Sequence, residues 1–330
     1  MSVLPLRRPA AKDTVAPRRV SRGANAEQIL KRLEWTVIRR LDGLLQGDYR
    51  TLFRGFGLDL ADLREYQYHD DVRRIDWNVT ARMQSPYVRE YHEDREVTAW
   101  FLLDLSPSVD FGAEHVKKRV VSAEFVSLLA RLLTRHGNRV GAILYGDRIE
   151  TVIPARAGRR HVLHITDRIL TRHELPRASA TDLEAFLRGA AMLVHRRALV
   201  FVVSDFISAS PWTKALAQLA RRHEVIAVRL HDPLESELPD LGLLVMQDAE
   251  TGEQLLVDTH DRSFRRRFAA AAQKREAELR ASFRSAGVDA LELSTADDLA
   301  DTVLRFSRLR KQRTRAGAGA VQTQPREAIR

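Results

Sequence analysis

The chain has 330 residues, 44% of them apolar and 30% charged, with a formal net charge of +10; this is the composition of a water-soluble globular protein with ample core, and no apolar run approaches the length needed to span a membrane. It contains no cysteine, which excludes disulfides, thiolate metal sites and cysteine nucleophiles, and no apolar signal region adjoins the basic N-terminus, so a cytoplasmic location is expected. The positive charge sits at the ends: residues 1–24 carry six bases against Asp13, and residues 308–330 carry seven against Glu327, leaving the middle of the chain near neutral.

Both ends, 1–25 and 310–330, are rich in Arg, Ala, Gly or Pro and are read as disordered basic tails, suited to weak, salt-dependent contact with nucleic acid or anionic surfaces. Residues 26–95 form an N-terminal extension packed on a main domain at 96–309. Within the extension, residues 28–45 have Leu30, Leu33, Val37, Leu41 and Leu44 on one helical stripe. The Gly-punctuated stretch 46–57 lacks the following Lys-Ser/Thr of a phosphate-cradling loop. Residues 63–82 mix Asp70, Asp71 and Asp76 with Arg64, Arg73, Arg74 and Arg82, which reads as an ion-pair network rather than a three-carboxylate nuclease centre.

From residue 97 the pattern turns to alternating strands and helices, the sign of a mainly parallel α/β sheet. Residues 97–103 are an uncharged apolar run ending at Asp104. A helix is predicted over 116–135, with Val120, Leu128, Leu129 and Leu132 inward. A strand follows at 140–145, with an edge hairpin partner at 149–153. A second helix is predicted over 156–171. A third starts at Thr181-Asp182-Leu183, with Thr181 as N-cap. Residues 198–203 are the most apolar run and a central strand ending in Ser204-Asp205; 225–230 is the next strand. A small hairpin pairs 243–246 with 254–257. It is followed by a basic helix at 261–286, a strand at 288–293, and a closing helix at 298–308 capped by Ser294-Thr-Ala-Asp297.

Asp104, Ser106 and Ser108 stand on alternate residues as the first strand ends, so their oxygens can converge on one point. Alone, the stretch also reads as a strand end with a Ser-Pro-Ser turn. Strand ends of an open parallel sheet share one edge, which brings Asp205 to Asp104, and the helix beginning at Thr181 can point to the same edge. Two carboxylates and three hydroxyls then surround one hard cation, Mg²⁺ or Mn²⁺.

This five-residue order resembles the metal-ion-dependent adhesion site of von Willebrand factor A-like domains. The resemblance implies that the metal, held by Asp104, Ser106, Ser108, Thr181 and Asp205, captures a Glu or Asp of a protein partner. Upstream, Arg64-Glu-Tyr, Asp70-Asp71-Val-Arg-Arg-Ile-Asp-Trp77 and Thr80-Ala-Arg82 are similar to a bacterial subfamily, domain-of-unknown-function family 58, often encoded beside MoxR-type AAA+ ATPases. The chain departs from it at Tyr68-His69, where a Pro-Gly or similar turn is usual.

By that resemblance the chain is a non-enzymatic interaction module partnering a MoxR-type ATPase in assembly or chaperone-like work, with specificity from loops near Phe111, Phe206 and Trp212. Two alternatives stand beside it. One is a metal-dependent hydrolase or nuclease built on Asp104 and Asp205, for which only Asp110 and Asp182 lie near as further carboxylates. The other is polyanion binding through the tails and the helix containing Arg262 to Arg284. A serine-hydrolase elbow around Ser106 is absent.

Overall fold

The computed structural model describes residues 25–38, 62–67, 72, 75, 77–90, 97–110, 117–173, 181–247 and 253–320. In chain order the elements are α1 (Ala26–Leu33), which widens into a π turn over Glu34–Ile38, β1 (Asp62–Glu65), α2 (Trp77–Met83), β2 (Tyr87–Glu90), β3 (Thr98–Asp104), a 3₁₀ turn (Pro107–Asp110), α3 (Lys118–Arg135), β4 (Arg139–Tyr145), β5 (Ile149–Arg156) and α4 (Arg159–Thr171). There follow α5 (Leu183–Leu193), β6 (Leu199–Ser204), α6 (Thr213–Arg222), β7 (Glu224–His231), β8 (Leu243–Gln247), β9 (Gln254–Asp258), α7 (Arg262–Ala286), β10 (Asp289–Ser294) and α8 (Leu299–Ala320).

Six strands form the main sheet in the order β10-β7-β6-β3-β4-β5. All neighbours are parallel except β5, which closes one edge antiparallel to β4. The mainly parallel α/β sheet, the edge hairpin and the β8–β9 hairpin are those expected. The order places β3 at the switch point: the chain leaves it outward to β4 and β5, then returns to lay β6 on its other side. Such a reversal opens a crevice beyond the carboxyl ends of the two strands.

Strand parity divides the apolar residues between two cores. Ala99, Phe101, Leu103, Leu199, Phe201 and Val203 face the layer of α1, α3 and α4. Leu102, Val200 and Val202 face the layer of α5, α6 and α7. Phe101 and Phe201, on neighbouring strands, stack at a centroid distance of 5.1 Å, and Phe125 of α3 meets Phe201 edge-on.

Helix α3 is buried on nearly all sides because α1 and α4 cover its outer face. Leu128, Leu129 and Leu132 are in the core as expected, but Val120 is half-buried and Val121 takes the inward position. Arg131 of α3 bonds Glu34 at 2.7 Å, and Glu124 pairs with Arg32, so α1 is fixed to the main sheet's helical layer.

Two helices are capped by residues other than those the sequence suggested. Asp182, not Thr181, caps α5 by accepting from the Ala185 N–H at 3.0 Å. Asp298 caps α8 by accepting from the Asp301 N–H at 3.0 Å, while Asp297 turns back to the Ser294 N–H. A carboxylate outcompetes a hydroxyl for the exposed amides of a first turn. Helix α8 continues to Ala320, into the stretch read as a tail. No helix among the described residues is long and apolar enough to cross a membrane.

Candidate metal centre

β3 delivers Asp104 to the carboxyl edge of the sheet. The chain stays beside β4 for one further residue, the Leu105 N–H donating to the Tyr145 carbonyl at 2.8 Å. The Arg172 guanidinium binds the Leu105 carbonyl and forks onto Glu150; Arg119 holds the Arg172 carbonyl at 2.7 Å. The 3₁₀ turn then folds Ser108 back toward Ser106, leaving their hydroxyl oxygens 3.1 Å apart. Asp104 accepts from the Ser106 N–H at 3.0 Å through Oδ1.

β6 delivers the second half. The register pairs Leu103 with Val203, so Ser204 falls beside Asp104, and its hydroxyl donates to Asp104 Oδ2 at 2.6 Å. The Ser204 hydroxyl oxygen in turn accepts from the Phe206 N–H at 2.9 Å. Phe206 has a left-handed φ of 59°, which costs a non-glycine residue about 1–2 kcal/mol. Its ring offsets that cost by packing at 5.1 Å on Trp212 and 4.8 Å on Phe283. The turn aims Asp205 inward, where Oδ1 accepts from the Ile207 N–H at 3.0 Å.

Thr181 reaches the same edge by its backbone, its carbonyl accepting from the Ser208 hydroxyl at 2.9 Å and the Ala209 N–H at 3.1 Å. Asp104, Ser106, Ser108, Thr181 and Asp205 are all buried, and Ser108, at 8% exposure, is the most open of them.

The sequence did not single out Lys118. Its side chain is 1% exposed, and its ammonium donates to Asp205 Oδ2 at 3.1 Å and pairs with Glu235, just past β7. Burial alone would lower the lysine's pKa, but Asp205 and then Glu235 outweigh it and hold it above the ordinary value. Asp104 moves the other way for a carboxyl: burial first, and the Asp205 charge second, push it from 3.8 up to about 6, against hydrogen bonds from Ser204 and Ser106.

The donor set fits a hard divalent cation. Oxygens at neighbouring corners of an octahedral Mg²⁺ shell, with bonds of about 2.1 Å, lie about 3 Å apart, and the two serine hydroxyls have that spacing. Burial first and the charge of Asp205 second disfavour the ionised Asp104 in the absence of a cation. Among the described residues no group of three or more His, Cys, Asp or Glu is placed to hold a metal, so the set is two carboxylates with hydroxyls.

Of the two further carboxylates considered, Asp182 is occupied as the α5 cap and by the Ser210 hydroxyl, and the Asp110 side chain lies outside the described residues. Phe206 and Trp212 are buried in an aromatic cluster with Phe283 rather than presented to a partner. Phe111, and Asp70, Asp71 and Asp76 of the charged segment, lie outside the described residues.

Ser204 offers a test of how the pair is held. Ser204→Ala removes a donor from a fully buried carboxylate, and we expect a loss of about 1–2 kcal/mol in stability at pH 7.5. Urea denaturation would measure it, and a change within about 0.5 kcal/mol, as for an ordinary surface substitution, would mean the contact contributes little.

The family described as "Protein of unknown function DUF58" matches residues 62–278. An uncharacterised protein of Mycobacterium tuberculosis strain H37Rv is 36% identical over 290 residues, covering 87% of this chain and 90% of that protein. A shorter uncharacterised protein of Mycobacterium avium is 35% identical over 167 residues, 51% of this chain and 98% of its own. Among solved structures, the conserved hypothetical protein BatB of Bacteroides thetaiotaomicron is 13% identical with a TM-score of 0.42, covering 66% of this chain and 99% of that one. The VWA domain of SpRpn10 is 11% identical with a TM-score of 0.35, covering 64% and 95%. The six-stranded, mainly parallel, helix-flanked sheet is the von Willebrand factor A-like α/β fold expected.

Proposed function

We infer the role of this chain from the premise that it belongs to the family described as protein of unknown function DUF58: it is a protein-interaction module whose β3–β6 edge takes Mg²⁺ or Mn²⁺ and captures an acidic side chain of a protein partner. The observation that carries this reading is the pair of serine hydroxyls 3.1 Å apart above two buried carboxylates. When bound, a divalent cation supplies an oxygen-seeking charge with exchangeable positions for an incoming carboxylate.

The chain's own residues do the rest. Ser106 and Ser108 offer neutral oxygens, so the site keeps net affinity for an anionic ligand instead of being saturated by its own carboxylates. Asp104 and Asp205 provide the negative charge behind them, and Ser204, Ser106 N–H and Ile207 N–H fix where that charge lies.

Binding is favoured over hydrolysis because two of the site's base candidates, Lys118 and Asp182, are committed. Lys118 is held protonated by two carboxylates, and Asp182 is engaged as a helix cap. A MoxR-type AAA+ ATPase is the partner we propose, from the family resemblance of the 64–82 motifs.

The test is capture of the full chain by a neighbouring MoxR-type ATPase, in Mg²⁺ or EDTA, with wild type and Asp104→Ala. We expect capture that requires both the metal and Asp104. Capture indifferent to both would sink the metal-dependent reading and move attention to the 64–95 segment and the tails.

A further inference from the structure

Lys118 is the first residue of α3 and the most deeply placed cation at the candidate metal centre, with 1% of its side chain exposed. The two acids it binds come from different strand ends, Asp205 after β6 and Glu235 after β7. With Asp104 they bring three carboxylates to the edge against one ammonium, a charge of −2 that one divalent cation would neutralise.

The ammonium and a divalent cation would both draw on Asp205. Its Oδ1 already accepts from the Ile207 N–H and its Oδ2 from Lys118. Each carboxylate oxygen has two lone pairs, so a coordination or water-bridging direction remains, but with a positive charge hydrogen-bonded to the same group. Lys118 is tethered, so its effective concentration at Asp205 is high and does not fall when free metal is scarce. A fixed cation this close to a ligand group, where water does not screen it, opposes a second cation strongly.

We propose that Lys118 is a built-in competitor for Asp205 that holds the metal affinity of the site down, so that the cation is retained well only when a partner's carboxylate completes its shell. This rests on the reading of Asp104, Ser106, Ser108, Thr181 and Asp205 as a metal centre. It makes metal and acidic partner bind as one coupled event, because each supplies what the other lacks.

The experiment is titration of the full chain with Mn²⁺ alone, following free Mn²⁺ by electron paramagnetic resonance, for wild type, Lys118→Met, Lys118→Met/Glu235→Gln and Asp104→Ala. The double variant removes one charge of each sign, keeping the net charge of the site and leaving no unpaired carboxylate at the partly buried Glu235. The expected result is Mn²⁺ binding on the order of tenfold tighter or more in both Lys118 variants, a difference of about 1.4 kcal/mol, and lost in Asp104→Ala. Tightening in the single variant only would mean that net charge, not competition at Asp205, sets the affinity, and would overturn the proposal. So would a folded double variant with wild-type or weaker affinity, or no binding in any variant. Mn²⁺ binding that survives Asp104→Ala would overturn the metal-centre reading itself, and the role of Lys118 with it. Circular dichroism on each variant separates a change at the site from loss of fold.

Discussion

Lys118→Met is expected to lower the unfolding free energy by about 3–5 kcal/mol in EDTA, the cost of removing one partner from a buried ion pair. The size follows from what is left behind. Asp205, 2% exposed, would keep a hydrogen bond from the Ile207 N–H but lose its cation, with Asp104 still facing it. Methionine fills much of the lysine stem's volume, so cavity formation adds little and the loss reports on charge. Lys31 and Glu27 set the contrast: their pair at 3.3 Å has side chains 65% and 50% exposed, and breaking it should cost less than about 1 kcal/mol. Urea denaturation at pH 7.5 decides the matter through the midpoint at unchanged slope. Lys118→Met/Glu235→Gln should recover part of the loss, since one of the two stranded acids is gone. A single-variant loss below about 1 kcal/mol, the range of an exposed pair, would mean that water reaches the lysine and that the three groups are not a buried unit.

What could be read from the sequence was what depends on local pattern. The runs at 97–103 and 198–203 are uncharged because β3 and β6 are covered on both faces, and an apolar run that ends in an acid marks the carboxyl edge. Asp104 and Asp205 therefore came together on topology alone. Lys118 was not legible: a lysine at the start of a helix normally points to solvent, and its partner Asp205 is 87 residues away. Ser204 was visible only as the last residue of a strand. Its place beside Asp104, 100 residues earlier, follows from the β3–β6 register, which no local spacing states. The inward turn at Phe206 was likewise not legible, since a left-handed backbone there buries the ring against Phe283 of α7, far along the chain. The cap at α5 shifted by one residue because Thr181 and Asp182 are both good caps, and the carboxylate, which also takes the Ser210 hydroxyl, wins the first-turn amide.

The metal-free protein should carry a stability penalty at neutral pH that is relieved by acid, and Asp104 is its source. Burial and Asp205 raise its folded pKa to about 6 from an ordinary value of 3.8. Between those values the folded state binds more protons than the unfolded chain, so this group's contribution rises as pH falls through 6 and is complete below 3.8. The displacement is worth about 3 kcal/mol. Three histidines, His223 buried and His161 and His231 partly so, act in the opposite sense: desolvation lowers each below 6.5, so the unfolded state binds their protons first and stability is lost as pH falls through that value. The total profile mixes the two, and the useful quantity is the difference between wild type and Asp104→Asn, in which the histidines cancel. In EDTA, wild type should gain on Asp104→Asn by about 2.4 kcal/mol between pH 7.5 and pH 4, most of the full displacement, measured by urea denaturation at each pH. Parallel profiles would show that Asp104 carries no penalty, and the electrostatic case for a cation beside it would fall. If the gain is found, saturating Mg²⁺ at pH 7.5 should stabilise wild type more than Asp104→Asn, because a cation relieves the same repulsion that a proton relieves.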